Sequence, residues 1–576
     1  MLRIDGLKLK PSFAVTAADE KMKLKVRVMK LMNIESEKEL TSFSILKKSI
    51  DARNQHGSGV KIIYSVVFGA RSENKLLRES TDQRSNLFYA LKKDKLTLNK
   101  YEEKISETEK LVNSPEVKFG AVKYFAKAGE RPIVCGSGPA GLFCAYYLAR
   151  AGLKPVVIER GKDVEGRRKS VDEFFATGKL DPNTNIQFGE GGAGTFSDGK
   201  LNTTTKDPTG RVREVLKIFQ SHGAPEDILY LSKPHIGTDM LPGVIKNIRE
   251  DIIKMGGEFM FETTLISLAT VKDEKGAEKL DYIVVRDNEG EEDEIPCSLL
   301  VLATGHSSRD TYEMLSKTNI SMQQKAFAIG VRAEHLQSMI NENQYNGHPE
   351  FLPPADYKLT YNTVKDGVTR GVYSFCMCPG GYVVNASSEP GHLTVNGMSD
   401  YKRDGRNANS AVVVTIRPED YNKGDNENVL AGVEFQRSLE KSAYDALSGK
   451  IPVQLYGDFK KNVVSKEYGK VKPAHNGESG FYDLNKLLPA WICELLKEGI
   501  DSFDSKIKGY ASYDALLSGI EMRTSSPVRI NRNDDMQANI LGIFPAGEGA
   551  GYAGGITSSA VDGMKVAEAV IKKLLL

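Results

Sequence analysis

Residues 131–161 read RPIVCGSGPAGLFCAYYLARAGLKPVVIERG: a strand, a glycine-rich turn, a helix, a short loop and a second strand ending on Glu159. Gly136, Gly138 and Gly141 fit GxGxxG, with Pro139 and Ala140 opening the helix. The first glycine permits the tight turn, and the second lets backbone amides approach a pyrophosphate. The third lets the helix pack on the strand, its N-terminus facing the phosphates. Glu159 lies 23 residues after Gly136 and is followed by Arg160. A carboxylate there can accept the ribose hydroxyls of an adenosine. A lone glycine motif is weak, but this one has its strand, helix and acid in place.

A second match lies in GEGAGYAGG, residues 547–555, where Gly549, Gly551 and Gly554 again fit GxGxxG. Only 22 residues follow Gly554, too few for a helix and a second strand with its own ribose acid. The expectation is that this strand, its glycines and its amphipathic helix join the sheet begun at residue 131 and touch the far end of one dinucleotide.

The chain has 576 residues, 40% hydrophobic and 27% charged, the texture of a soluble globular protein. That length suggests about three or four domains. No apolar h-region opens the chain and no run approaches the roughly 18 apolar residues of a membrane span, so a cytoplasmic protein without membrane contact is expected. Six scattered cysteines argue for reduced thiols. The net charge of +2 hides an asymmetry: residues 1–130 hold 26 Lys+Arg against 17 Asp+Glu, the remainder 52 against 59. A basic N-terminal portion could face an acidic partner, or be a solvated lysine-rich surface; without a nucleic-acid motif the second reading is preferred and nucleic acid is not an expected partner.

Residues 1–128 read as a small α+β unit. A strand at LRIDGLKL precedes a helix opened by the capping-box-like Thr16 to Asp19, with Leu24, Val28, Leu31 and Met32 near helical spacing. Two β-rich runs, SFSILKKSIDAR and KIIYSVVFGA, flank the turn-like NQHGSG, which suits a ferredoxin-like half. Residues 85–111 are polar and read as a linker helix. The remaining expected boundaries are 129–310 for the first part of the nucleotide-binding domain, with substrate-facing excursions near 165–235, then 311–510 for a cap and 511–576 for the C-terminal part.

Three stretches together, CGSGPAG with VIERG, SLLVLATGH with Ala303, Thr304 and Gly305, and GIFPAGEGAGYAGG, resemble the FAD flavoproteins of the glutathione-reductase superfamily. The resemblance implies that the first holds the ADP half of FAD and that the ATG strand returns to the nucleotide domain. Gly547, Glu548, Gly554, Gly555 and Ile556 would then hold the ribitol and flavin. Many relatives carry Asp where Glu548 stands. NIQFGEGGAGTFSDGKLNT, KPHIGTDML, GVYSFCMCPGGYVV and EMRTSSPVRI look more closely like stretches of a bacterial family of FAD-dependent, NAD-utilising dehydrogenases. That likeness covers about residues 130–576 and implies no substrate. The implied fold class is α/β, a Rossmann-type FAD-binding domain with a three-layer, mainly parallel sheet, carrying a β-rich inserted cap and a small N-terminal α+β domain.

FGEGGAGTFSDGK places five glycines in residues 189–199. Gly191, Gly192, Gly194 and Thr195 are expected to bring backbone amides to the isoalloxazine, where N–H dipoles stabilise negative charge; a flexible surface loop is the competing reading. No cysteine lies between Cys144 and Cys297, which excludes the disulfide-reductase placement of a redox pair. Amine oxidases have a glycine where Glu165 stands. ATGHSSRD echoes the DG-x-x-S fingerprint of aromatic hydroxylases through Gly305, Ser308 and Arg309, with Thr304 replacing the aspartate, so an FAD monooxygenase is the runner-up. A flavin-bound tRNA-modifying or sensor protein is a third reading.

His235 is a candidate proton-transfer group, with a capping or core histidine as the alternative. His306 reads as a loop residue near the cofactor. Arg332 and Arg523 are candidate clamps for a substrate carboxylate or phosphate, or ordinary ion-pair partners. Cys376 and Cys378 read as core or pocket lining in preference to a catalytic thiol or half a metal site, and no metal is expected. The expected reaction is hydride transfer between a small organic substrate and FAD. NAD(P)H would be a transient visitor, since only one complete βαβ unit exists.

Overall fold

The computed structural model describes residues 1–576 except 12–15, 53–58, 128–129, 204–206, 346–351, 366 and 576. It divides into two compact units. No helix among the described residues is long and apolar enough to cross a membrane.

The first unit comprises Met1–Ile105, Pro225–Pro234 and Asn341–Ala355. Its four-stranded antiparallel sheet runs in the order Leu40–Asp51, Lys61–Ala70, Leu2–Leu9, Thr97–Lys100. The helix Ala17–Leu31 opens on the capping box of Thr16 and Asp19 and buries Leu24 and Val28. Most of the turn NQHGSG lies outside the described residues. The stretch 85–111 is not one linker helix. It is a helix Asn86–Asp94, a strand Thr97–Lys100 and a helix Glu107–Val112. Lys95 turns left-handed at φ +56°, ending the first helix. Leu96 and Leu98 then reach the core, which outweighs the helical propensity of their polar neighbours. That strand completes a strand–helix–strand–strand–helix–strand unit in which the sequence suggested only a half. Pro225–Pro234 returns to the edge strand, with the Lys48 amide donating to the Tyr230 carbonyl at 2.6 Å.

The second unit is built on a five-stranded parallel sheet in the order Ile543–Pro545, Leu300–Leu302, Ile133–Cys135, Val156–Ile158, Glu258–Met260. The C-terminal strand thus joins the sheet begun at residue 133, as its missing partner strand required. One face packs on a three-stranded antiparallel layer, residues 264–296, through Leu265, Leu280, Ile283 and Val285. Helices Pro139–Arg150 and Ile556–Leu575 pack together on the other. This is the expected three-layer α/β arrangement. Its parallel strands are short and, but for the exposed Glu258 on the edge strand Glu258–Met260, wholly apolar, as a sheet covered on both faces demands.

The β-rich part of this unit is a seven-stranded sheet in the order 360–365, 368–378, 407–416, 327–336, 516–521, 451–455, 479–481. Strand Leu516–Glu521 lies beyond the expected cap limit at 510, yet it pairs antiparallel with Phe327–Leu336 in the interior of that sheet. All six of its residues are buried, which suits a central strand.

Backbone-to-backbone approach holds the layers together. Gly136 has φ +102°, and a Cβ on it would overlap the Ala303 carbonyl oxygen. A Cβ on Gly141 would overlap the Gly136 carbonyl oxygen, and one on Gly563 that of Ala140. Replacing Gly563 with Val is therefore expected to lower stability by about 1–3 kcal/mol through overpacking. Gly243, in the helix Leu241–Lys254, has nothing within 4 Å of its Cβ position. Gly243→Ala is expected to raise stability by up to about 1 kcal/mol. Thermal melts of the two variants beside the parent check the contrast.

Candidate functional site

A cavity of about 360 Å³ opens at the C-terminal ends of the strands Ile133–Cys135, Leu300–Leu302 and Ile543–Pro545, where open α/β sheets bind ligands. Gly136, Gly138, Pro139 and Ala140 line it at the start of the helix Pro139–Arg150. Gly138 is the N-cap and offers no side-chain cap, so the helix amides and dipole remain for an anion. Gly141 stands behind the lining, as a packing glycine should.

Glu159 lines the same cavity and is 6% exposed. One oxygen accepts from the Ser137 amide at 3.0 Å and hydroxyl at 2.7 Å. The other accepts from the Gly161 and Gly189 amides, each at 3.0 Å. Glu159 therefore ties the glycine turn at Ser137, its own strand end and the glycine-rich loop to one point. Arg160 is beside it, its guanidinium 4.4 Å from the centre of the Phe188 ring.

The glycine-rich loop is not a free surface loop. Arg167, which the sequence reading missed, is fully buried and donates to the carbonyls of Asn185, Ile186, Gly189, Glu190 and Gly192 at 2.6–3.1 Å. Burial, against the pull of Glu159 and Glu190, brings its pKa down to about 10. Its only signal in the sequence was an arginine in the helix after the ribose acid. Gly192 and Gly194 reach the cavity, whereas Gly191 and Thr195 sit one layer back. Glu190 holds the Val164 amide at 2.8 Å and Arg249 at 3.3 Å.

Ala303, Thr304 and Gly305 line the cavity, as do His306, Gly547, Glu548, Gly554, Gly555 and Ile556. Burial lowers the His306 pKa to about 3, so the ring is neutral. Its Nε2 has no hydrogen-bond partner among the described residues, and its Nδ1 lies 3.7 Å from Glu548 Oε1. Burial also raises the Glu548 carboxyl to about 7, against the pull of Lys325. A carboxyl that titrates near neutral pH and a neutral imidazole thus stand side by side on the wall.

The catalytic candidates separate. His235 lies outside the lining: its Nε2 is 2.8 Å from the Tyr401 carbonyl and its ring stacks on Tyr401 at 5.3 Å. Arg332 is no clamp. It is fully buried, and its donors go to Glu521, Asn409, Asn396 and the Cys376 carbonyl, leaving none for a substrate. Arg523 does line the cavity, with Nε and Nη2 on Glu440 at 3.0 and 2.9 Å and Nη1 on Ser388. Arg309 donates to the same carboxylate at 2.8 Å through both terminal nitrogens. Although burial opposes it, these two arginines hold Glu440 down to about 2. The hydroxylase-like Arg309 is therefore a structural tie to the cap. The remaining wall carries Asp198, Lys200, Phe375, Cys376, Asn396 and Glu521.

These residues fit a dinucleotide: an open glycine cradle under a helix N-terminus, an acid at the next strand, and an unsatisfied imidazole nitrogen further along. Residues 134–189 match an NAD(P)-binding Rossmann-like domain, and residues 326–524 match the model described as FAD-dependent protein, C-terminal domain-like. A protein of Clostridium beijerinckii described as uncharacterized is 48% identical over 556 residues, 96% of each chain. Among solved structures, a flavoprotein/dehydrogenase from Cytophaga hutchinsonii is 10% identical, covering 77% of this chain and 79% of that one at a TM-score of 0.33. The glycerol-3-phosphate dehydrogenase from Bacillus halodurans complexed with FAD is 10% identical, covering 80% and 67% at a TM-score of 0.33. Scores that low carry no argument about function.

Two outcomes follow. A Cβ on Gly138 would meet only Gly192 Cα, at 3.7 Å. Gly138→Val is expected to keep the melting temperature of the cofactor-free protein while losing bound FAD, measured as the flavin-to-protein absorbance ratio. For Glu548 the folded state binds its proton more tightly than the unfolded chain. Its contribution to the stability of the cofactor-free protein is full below about pH 4.5 and is lost as pH rises to about 7. Glu548→Gln should flatten that part of the pH–melting curve.

Proposed function

The chain belongs to the family of FAD-dependent proteins, and on that premise we propose that it is an oxidoreductase moving a hydride between a small organic substrate and FAD. One observation carries the reading. A single cavity runs from the phosphate-binding turn and Glu159 to Gly547 and Glu548, and side chains of the β-rich sheet form its other wall.

Gly138, Pro139 and Ala140 would hold the pyrophosphate at the helix N-terminus, and Glu159 the adenosine ribose. Glu548, Gly554, Gly555 and Ile556 would hold the ribitol and flavin end, with amides of the Gly192 to Gly194 turn on the ring. FAD supplies the hydride-accepting and hydride-donating ring nitrogen when bound. Glu548, its carboxyl raised by burial to about 7, can hold or release the proton that accompanies a hydride near neutral pH, with neutral His306 beside it. Glu548 replaces His235 in that role, because it lines the cavity.

The glutathione-reductase-like sequence pattern supports placing the chain near that superfamily. NAD(P)H is the proposed transient donor, entering beside the cap, because a single βαβ unit is already committed to FAD. The partition into 1–128, 129–310, 311–510 and 511–576 remains our proposal for the domain plan, with the strand Leu516–Glu521 assigned to the cap. The six unpaired cysteines suit a reducing cytoplasm. The tie of Arg309 to Glu440 removes the support that Arg309 gave to a hydroxylase.

Anaerobic absorbance spectroscopy tests the reading. FAD-loaded protein is expected to be yellow and to bleach on addition of NADH or NADPH. A protein that neither carries nor takes up FAD would overturn it. Persistent yellow colour with both nucleotides would remove NAD(P)H as donor and leave the organic substrate as the direct source of the hydride.

A further inference from the structure

The strand Val368–Cys378 pairs with Asn407–Ile416 as far as Phe375 opposite Ala411, and resumes at Cys378 opposite Asn409. Three steps along one strand thus match two along the other: a bulge. Cys376 sits in it at φ +43°, a left-handed conformation that a residue with a Cβ avoids. Two donors hold this backbone in place. Arg332 Nη1 and the Cys378 thiol both reach the Cys376 carbonyl, each at 3.3 Å.

The bulge matters for the two sulfurs. Residues two apart on a regular strand have Cα atoms about 6.6 Å apart, near the upper end of the roughly 4.4–6.8 Å that a disulfide spans. The left-handed turn at Cys376 re-aims its own side chain on the strand. Here Cys378 Sγ lies 3.3 Å from the carbonyl oxygen of Cys376, which places the two side chains together. Cys376 lines the cavity beside Lys200, and Cys378 is fully buried behind it.

This pair differs from the other four cysteines. Burial pushes the thiols of Cys135 and Cys297 up to about 12 and that of Cys493 to about 11, and raises Cys144 as well. Cys376 moves the other way: the neighbouring Cys378 thiol, with Lys200 and Arg332, outweighs burial, while Cys378 is raised. Cys376 and Glu548 line the same cavity, and a negative charge on Cys376 helps to raise the Glu548 carboxyl.

We propose that Cys376 and Cys378 are a redox-active dithiol/disulfide pair that exchanges two electrons with the flavin bound in this cavity. It rests on the FAD reading above. In the oxidising direction the Cys376 thiolate and the Cys378 thiol form an S–S bond, the Cys378 S–H bond breaks, and two electrons with that one proton pass to the oxidised flavin. The reverse step returns them and cleaves the disulfide. Charge and hydrogen balance on both sides. The pair reaches the cavity from the β-rich wall, not from the segment after the phosphate-binding helix, where no cysteine stands between Cys144 and Cys297.

Differential alkylation and peptide mass mapping of the whole protein, equilibrated in glutathione buffers from reducing to oxidising, decide whether the pair forms. The expected result is joint loss of alkylation at Cys376 and Cys378 together with an intrapeptide disulfide. Both thiols staying alkylatable in the most oxidising buffer would overturn the proposal. Anaerobic dithionite titration of FAD-loaded, pre-oxidised protein decides whether the pair communicates with the flavin. Parent protein is expected to take up twice the electrons per flavin of Cys376→Ser or Cys378→Ser, since each couple holds two. Equal uptake would overturn the exchange. Failure to load FAD at all would instead sink the flavin reading, and the glutathione mapping would still decide the pair.

Discussion

The second unit depends on how closely its backbone can approach itself around Gly136. The carbonyl of Ala303 and that of Gly136 occupy the places where side chains would stand on Gly136 and Gly141, and the carbonyl of Ala140 does the same to Gly563. Three segments far apart in sequence, 131–161, 300–305 and 543–576, can meet only because these positions lack a Cβ. The same lack leaves an open phosphate turn. Packing and binding here are one constraint: hydrogen at Gly141 and Gly563 brings the helices onto the sheet, and hydrogen at Gly138 leaves room beyond it.

Buried charge then fixes the loops on that frame. Glu159 gathers amides from Ser137, Gly161 and Gly189, and Arg167 gathers five carbonyls from residues 185–192. The two work in opposite polarity on the same loop. A loop with five glycines carries a large conformational entropy in the unfolded chain, and it stays shaped only if its backbone polar groups are held. A buried arginine with five carbonyls is well suited to that task, because its donors are fixed in a plane and many.

The glycine motifs could be read because their chemistry is local: strand, turn, helix and acid lie within about thirty residues. The folding of the C-terminal strand into the first sheet was likewise legible from what the segment lacked. The strand Thr97–Lys100 was not, since its polar, lysine-rich setting favours a helix and only the tertiary contacts of Leu96 and Leu98 decide otherwise. Arg332 looked like a clamp because an arginine between apolar residues usually has an anionic partner. Its partner is Glu521, nearly 190 residues away, and that pairing is invisible along the chain. Arg523 kept its place on the cavity but shares Glu440 with Arg309. Glu548 and His306 were found by motif and position, whereas their protonation states follow from burial alone.

The reaction is therefore decided less by the parallel sheet than by the wall facing it. The sheet supplies a cradle that any dinucleotide could use. The facing wall supplies Lys200, Asn396, Glu521, Arg523 and a thiol held in a strained bulge, close enough to Glu548 for each charge to act on the other. A carboxyl raised by burial to about 7 stands there beside a neutral imidazole, so Glu548 can release or take back a proton near neutral pH. The cations Lys200 and Arg332 stand instead by the sulfurs, where a negative charge is to be kept. Proton handling at Glu548 and anion stabilisation at the sulfurs thus share one cavity, and a ligand in it would meet both.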